Sequence, residues 1–328
     1  MTDLPILTAS RLSNARACQR LHHYRYNLGY RPAEDPATLR FGTLIHAGLE
    51  AWWADPNPNY ALDQALFAMA GEADPFERAT AEALLAGYDA RWSEDKAKYQ
   101  VVQVEAEFRA PLVNPETGRP SQTWQLGGKI DALATEIDSG RRILIEHKTT
   151  SEDLSPGTDY WRRLRMDGQV SLYYAGAEEL GFPSDSCLYD VLRKPLQRPK
   201  KKAAEVKLKK DGTPYANQQA ADETPEEFRA RIIEAIAEDP NAYFARAEVV
   251  RLEGEVAESV FDVWQLGQQL READRLERYP RNPGACLQYG RTCPFLGVCS
   301  GETSLDDPTL YRRISTPHPE LAIPASAA

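Results

Sequence analysis

Apolar positions recur along this chain first at helical and then at strand spacing, and the change of period divides it. Residues 11–28 read as a helix that Ser10 or Ser13 is able to cap, and 43–53 reads as a second. Between 79 and 98, Ala81, Leu84, Leu85, Tyr88 and Trp92 fall on one stripe at helical spacing. From 101 the period shortens to two: VVQVEAEFRAPLV alternates as a strand does, and 115–118 supplies a turn. The runs WQLGGKIDALATEI and RRILIEHKTT then flank Asp138-Ser139-Gly140, a hairpin signal. A helix over 168–180 and a strand in SCLYDVLRK follow. Thr224-Pro225-Glu226-Glu227 joins a capping Thr, a first-turn Pro and a Glu three residues after the cap, which opens a helix. A long helix over 255–278 carries Val256, Val260, Val263, Leu266, Leu270 and Leu276 on its apolar face.

This order predicts an α/β fold: a small mixed, mostly antiparallel sheet flanked by helices. We expect one domain over 1–328. Its parts are a helical segment (1–100), a sheet core (101–195), a basic insertion or hairpin (193–222) and C-terminal helices with a cysteine cluster and a disordered tail (223–328).

Composition narrows the class. The chain has 328 residues, is 42% hydrophobic and 27% charged, and has no apolar run near the ~20 residues of a membrane span. MTDLPILTAS lacks a signal-peptide layout, so a cytoplasmic location and no membrane partner are expected. With 39 basic against 49 acidic residues the net charge is −10, which at face value argues against a nucleic-acid partner. Its distribution argues the other way. Residues 4–33 hold five Arg (Arg11, Arg16, Arg20, Arg25, Arg31) and no acid. Residues 193–210 hold nine basic residues, among them Arg193, Lys194, Lys200, Lys201 and Lys202, against Glu205 alone. Such a strip is either a solvated loop or an arm that tracks phosphates by neutralising them. Lys209-Lys210-Asp211-Gly212 gives it a turn signal. The acid is concentrated in 50–107 and 222–278, each carrying −8.

Chemistry concentrates in the 124–148 hairpin. A turn centred near 138–139 pairs residues whose numbers sum to about 277, which sets Asp131 across from Glu146. Alternation points Glu146 and Lys148 one way and Ile145 and His147 the other. Two carboxylates and an ammonium on one sheet face suit Mg²⁺ or Mn²⁺ and a positioned water. The same pattern also fits a cross-strand ion pair on a half-buried sheet. Glu105 and Glu107 share a face of the preceding strand, and Glu107 is the candidate for a further acid.

Five segments in order decide between these readings. Gly128-Lys129-Ile130-Asp131 and Ile143-Leu144-Ile145-Glu146-His147-Lys148 resemble the two central motifs of the PD-(D/E)XK nuclease superfamily. Arg40-Phe41-Gly42-Thr43-Leu44-Ile45-His46 resembles the glycine-to-histidine helix motif of its RecB-like branch, and Gln169-Val170-Ser171-Leu172-Tyr173 its Gln-x-x-x-Tyr motif. The opening Ser10…Cys18 segment is similar to that branch's N-terminus. The resemblance implies a metal-dependent DNA exonuclease, free-standing and of recombination, repair or phage type. It implies Mg²⁺ or Mn²⁺ held by His46, Asp131, Glu146 and the main-chain carbonyl of His147, with Lys148 orienting the attacking water. Gln169 and Tyr173 are then expected to steady the DNA backbone or the lysine. Arg11, Arg16, Arg20 and the 193–210 segment, with Arg193, Lys194, Lys200, Lys201 and Lys202, are expected to guide DNA, and Tyr24, Tyr26, Trp52 and Trp53 to stack unpaired bases. No G-x-x-x-x-G-K-[ST] occurs, so an exposed end, single-stranded DNA or a helicase partner is needed. The alternative is a non-cutting DNA-binding or structural subunit of a helicase–nuclease complex.

The five cysteines suggest no disulfides. Cys286-x6-Cys293-x5-Cys299 lies in a Gly-rich loop, and Cys18 is the natural fourth ligand of a tetrahedral site. Thiolates serve iron–sulfur and zinc alike. The set resembles the iron–sulfur staple of AddB and CRISPR-associated exonucleases, which implies [4Fe–4S], although the x6 gap is wider than is usual there. Cys187, in an apolar run, is expected to be a buried small hydrophobe.

Overall fold

A computed structural model describes residues 4–69, 74–202, 207–213, 221–288 and 291–321. In it the sheet is built around one long strand. In chain order the first half contains β1 (Ile6–Leu7), α1 (Ala9–Ala17), α2 (Gln19–His22), β2 (Tyr30–Pro32), α3 (Ala37–Ala54), α4 (Pro58–Ala68) and α5 (Pro75–Lys96). The sheet core follows as β3 (Tyr99–Val113), β4 (Pro120–Glu136), β5 (Arg142–Thr150), α6 (Asp159–Leu164), α7 (Gly168–Glu179) and β6 (Ser186–Arg193). After the basic segment come α8 (Pro225–Glu238), β7 (Phe244–Val249) and α9 (Glu253–Leu276).

One edge of β4 is occupied by antiparallel β3 along nearly its whole length. Its other edge takes the short parallel β1 at Gln125 and Leu126 and antiparallel β5 at Ala132–Thr135. β5 runs parallel to β6, a pairing that requires a crossover, which α6 and α7 provide. Antiparallel β7 closes the sheet beyond β6. The fold is therefore a mixed α/β architecture with helices on both sides of a mostly antiparallel sheet.

Strand alternation builds two cores. Leu133 and Leu144 face α7 and α9, where Phe108, Trp124, Leu172, Val263, Leu266 and Leu270 pack. Ala132, Ala134, Ile143 and Ile145 face α3, α5 and α8, with Trp52, Trp53, Tyr88, Phe228 and Ile232. A third cluster of Tyr24, Phe295 and Tyr311 fastens the N-terminal segment to the C-terminal loop.

The hairpin and its sum of 277 hold, since Ala132 faces Ile145 and Leu133 faces Leu144. The Thr224 capping box forms as read, with Glu227 N–H donating to Thr224 Oγ1 at 3.2 Å and Thr224 N–H to Glu227 at 3.0 Å. Cys187 is fully buried.

Residues 11–28 do not form one helix. Thr8, not a serine, caps α1 through Arg11 N–H, and the chain turns extended at Cys18 (φ −165°). The C-terminal loop causes the break: Arg20 N–H leaves the helical ladder for Pro280 O at 3.2 Å, and Asn282 N–H donates to Cys18 Sγ at 3.4 Å. Periodicity in the sequence does not predict α4, β1 or β7. β1 is two residues long, and β7 is a six-residue strand between two helices.

The Lys209–Gly212 turn closes with Gly212 N–H on Lys209 O at 3.0 Å and Lys209 N–H on Thr213 O at 2.7 Å. The remainder of the expected hairpin (203–206 and 214–220) and the tail (322–328) lie outside the described residues. Among those described, no helix is long and apolar enough to cross a membrane.

Candidate active site

The site opens where β4 and β5 part. Beyond Ala132 and Ile145 the strands stop pairing, and Asp131 Oδ2 accepts the His147 N–H at 2.7 Å instead. Asp131 Oδ1 lies 3.4 Å from His46 Nδ1 in the third turn of α3, so that helix meets the sheet at this carboxylate. On the same face Lys148 Nζ donates to Glu146 Oε1 and, at 2.9 Å, to Gln169 Oε1. Gln169 Nε2 donates to the Tyr173 hydroxyl at 2.7 Å. The four-residue helical spacing is what lets one side chain of α7 hold the other. Asp167 caps that helix by accepting Gln169 N–H at 2.8 Å. Gly128 leaves room for it: a Cβ there would stand 2.8 Å from the Phe108 ring and 3.2 Å from Tyr173.

Burial and mutual charge set the ionisation of this group. Burial alone would raise Asp131, but His46 against it, with His147 and Lys148, holds it below the ordinary carboxylate range. Burial would lower His46, and Asp131 overrides that and raises it. Burial pushes Glu146 up to about 8, against the pull of Lys148 and with the repulsion of Asp131. Lys148 is likewise raised: burial opposes its charge, but Glu146 favours it more strongly.

Among the described residues no set of three or more His, Cys, Asp or Glu is assembled as a ready metal cage. The donor chemistry nonetheless fits a divalent cation at the carboxylates. Glu146 is 1% exposed and its Oε2 has no hydrogen-bond partner. A buried oxygen of this kind costs stability unless something satisfies it, and an oxygen-seeking cation does so.

The four cysteines are brought into one neighbourhood from opposite ends of the chain. Cys286 Sγ lies 3.8 Å from Asn282 O, the residue that binds Cys18, and Cys293 N–H donates to Cys286 O at 2.8 Å. All are free thiols. Burial first, and then the nearby Cys286, Cys299 and Cys18 thiols, push Cys293 up.

The further acid needs adjustment. Val104 faces Ala132 and Ala106 faces Ile130, so the register sets Glu105 opposite Asp131 and Glu107 opposite Lys129. Glu105 has a left-handed backbone (φ 49°) and pairs with Lys129, while Glu107 lies 3.7 Å from Arg109. Glu50, one turn beyond His46 on α3, is a further acid that the sequence motifs do not single out. Desolvation and then Glu105 raise its carboxyl, and Asp131 adds to this. Its place four residues after His46 was the available signal.

Arg11 is not a surface contact. It is buried, donates to His22 Nε2 at 2.9 Å and to Ile6 O at 3.1 Å, and lies 4.7 Å from the Trp124 ring. Burial lowers it to about 10. Tyr24, Trp52 and Trp53 are buried in the cores, and Tyr26 is buried against His22 and His318, so none offers a face for a base. Arg20 donates to Tyr279 O at 2.8 Å, whereas Arg16 is exposed and reaches Gly168 at the start of α7. Arg193 sits beside Thr150 at the end of β6, and Lys194 lies 4.0 Å from the Phe41 ring. Lys201 pairs with Asp222 at 3.3 Å, and the backbones of Lys200 and Lys202 bond to Glu223 and Asp222.

Compared with known families, residues 6–300 match the PD-(D/E)XK nuclease superfamily. The chain belongs to that superfamily. Its members are nucleases. No curated protein matches the chain. A solved structure described as "Crystal structure of SSO0001" is similar at 13% identity over 83% of this chain and 90% of that one. Its TM-score of 0.31 adds nothing to the fold assignment.

Proposed function

We propose that this superfamily member is a metal-dependent deoxyribonuclease of the RecB-like branch, acting as an exonuclease in recombination, repair or phage DNA processing. The observation that carries the reading is the buried, unpartnered Glu146 Oε2 beside Asp131 and Lys148. Asp131, Glu146, His46 and the His147 carbonyl would hold Mg²⁺ or Mn²⁺, with Glu105 and Glu50 as outer acids. When bound, such an ion supplies Lewis acidity at the scissile phosphate and stabilises the leaving oxygen. Lys148, kept cationic and aimed by Gln169, orients the attacking water and offsets the charge that develops on phosphorus oxygens. Tyr173 fixes the amide of Gln169. Arg16, Arg20, Arg193, Lys194 and Lys200–Lys202 neutralise backbone phosphates, which makes binding salt-dependent. The four cysteines, in this reading, bind a structural [4Fe–4S] cluster that joins the chain ends.

Digestion of end-labelled single- and double-stranded DNA with Mg²⁺ or Mn²⁺ tests the proposal. Cleavage that EDTA and Lys148→Ala abolish is expected. A wild-type protein inactive with both metals and with an added helicase sinks it and leaves the non-cutting DNA-binding reading.

A further inference from the structure

Consecutive strand residues face opposite sides of a sheet, so β5 serves two environments. Glu146 and Lys148 enter the site, and His147 between them points into the core behind it. There its ring centroid lies 6.0 Å from that of Trp53 and 6.5 Å from that of Tyr88. The β5–β6 register sets Asp190 beside it, and His147 Nδ1 lies 3.5 Å from Asp190 Oδ2. The same oxygen accepts from the Tyr88 hydroxyl at 2.5 Å and from Arg246 of β7 at 3.1 Å. Tyr88 in turn accepts from Trp53 Nε1 at 3.1 Å and from Arg246 at 3.0 Å. Arg246 lies 4.0 Å from the Trp92 ring and has Asp95 as its outer partner at 3.4 Å. Asp190 is 0% exposed and His147 3%.

A buried ion pair of this kind adds little stability over apolar residues of equal volume, because both charges lose their water. Beside it stands the residue whose backbone joins the two halves of the site. The His147 N–H ties β5 to Asp131 at 2.7 Å. Its carbonyl is one of the groups assigned above to the metal. The two groups lie in the peptide units on either side of the His147 Cα, so a shift of this residue's backbone would displace both.

Resting on the nuclease reading above, we propose that Tyr88, Asp190 and Arg246 are positioning residues for the reaction. They clamp the His147 ring from behind the sheet and thereby fix the Glu146-His147-Lys148 backbone, its hydrogen bond to Asp131 and the carbonyl that faces the metal. They touch neither DNA nor metal. They act in the outer layer that orients first ligands, whose loss weakens metal binding by about 10–100-fold in other sites.

The test uses Asp190→Asn and Tyr88→Phe in the full chain. Amide hydrogen exchange at His147 is compared with that at Leu144, and Mn²⁺ affinity is measured by electron paramagnetic resonance of the free ion. Faster exchange at His147 with Leu144 unchanged is expected, together with about 10-fold or greater loss of Mn²⁺ affinity. DNA hydrolysis should need correspondingly more Mn²⁺ while kcat at saturation changes little. Tyr88→Phe keeps every charge and serves where Asp190→Asn does not fold. His147 exchange and Mn²⁺ affinity at wild-type values in Tyr88→Phe would overturn the inference. Wild-type protein that neither binds Mn²⁺ nor cuts DNA overturns the nuclease reading instead, and the exchange rates still decide the clamp.

Discussion

Lys148 Nζ donates to Gln169 Oε1 across 2.9 Å, joining the middle of the sheet to the first turn of α7. Two elements far apart in sequence therefore share control of one ammonium. Glu146 supplies its charge partner and Gln169 its direction.

Removing the amide leaves the charge pair but frees the lysine to rotate. Gln169→Ala is expected to lower single-turnover DNA cleavage by about 10²-fold, since displacements near 1 Å cost that much in a preorganised site. Tyr173→Phe, which keeps the ring and loses only the acceptor for Gln169, should lose less. Equal rates for Gln169→Ala and wild type would remove the amide from the mechanism.

Gly176 lets α7 lie close on the sheet, because a Cβ there would stand 2.6 Å from three atoms of the Phe108 ring. Gly176→Ala must push the helix or the ring aside and is expected to destabilise by about 1–3 kcal/mol. The same shift moves Gln169, so cleavage should fall in protein that is still folded. Urea unfolding beside a cleavage assay checks both.

His22 is a buried neutral imidazole, 1% exposed, whose pKa is lowered to about 3 by burial first and then by the Arg11 guanidinium that donates to it. The unfolded chain takes up a proton near pH 6.5 that the folded chain refuses. Stability from this residue is therefore full above about 6.5 and is lost as pH falls toward 3, by at most about 1.4 kcal/mol per unit. Melting temperature against pH should be flatter for His22→Gln over this window than for wild type. Parallel curves would show that another group dominates.

Anaerobic preparations should be brown, with visible absorbance that Cys18→Ser or Cys293→Ser removes. Loss of the cluster is expected to loosen the chain ends, and protease nicking near residue 18 would report it. Colourless protein carrying one equivalent of zinc would replace the iron–sulfur assignment.

Thr224→Ala deletes one arm of the capping box and is expected to cost about 1 kcal/mol. Thr224→Ser should restore most of it, as read from thermal melts.

The sequence determined the elements whose signals are local. The 124–150 hairpin and its register follow from period-two alternation and turn chemistry, which also put Asp131, Glu146 and Lys148 together, and the Thr224 cap and α7 follow from capping and helical signals. All of these act between near neighbours, so they leave a pattern in a linear string. The charge map also needed only counting.

Tertiary structure decided everything that depends on what lies against a side chain. Arg11 and Arg16 are alike in sequence, but Arg11 is enclosed by Trp124 and His22 and Arg16 is left at the surface beside α7. Tyr24, Trp52 and Trp53 became core for the same reason. The break at Cys18 needed Pro280, which accepts the Arg20 N–H, and Asn282, which donates to the Cys18 sulfur, both far along the chain. Glu105, not Glu107, faces Asp131 because the two-stranded register put it there. Burial and long-range pairing are collective properties of the folded chain, and a local pattern does not encode them.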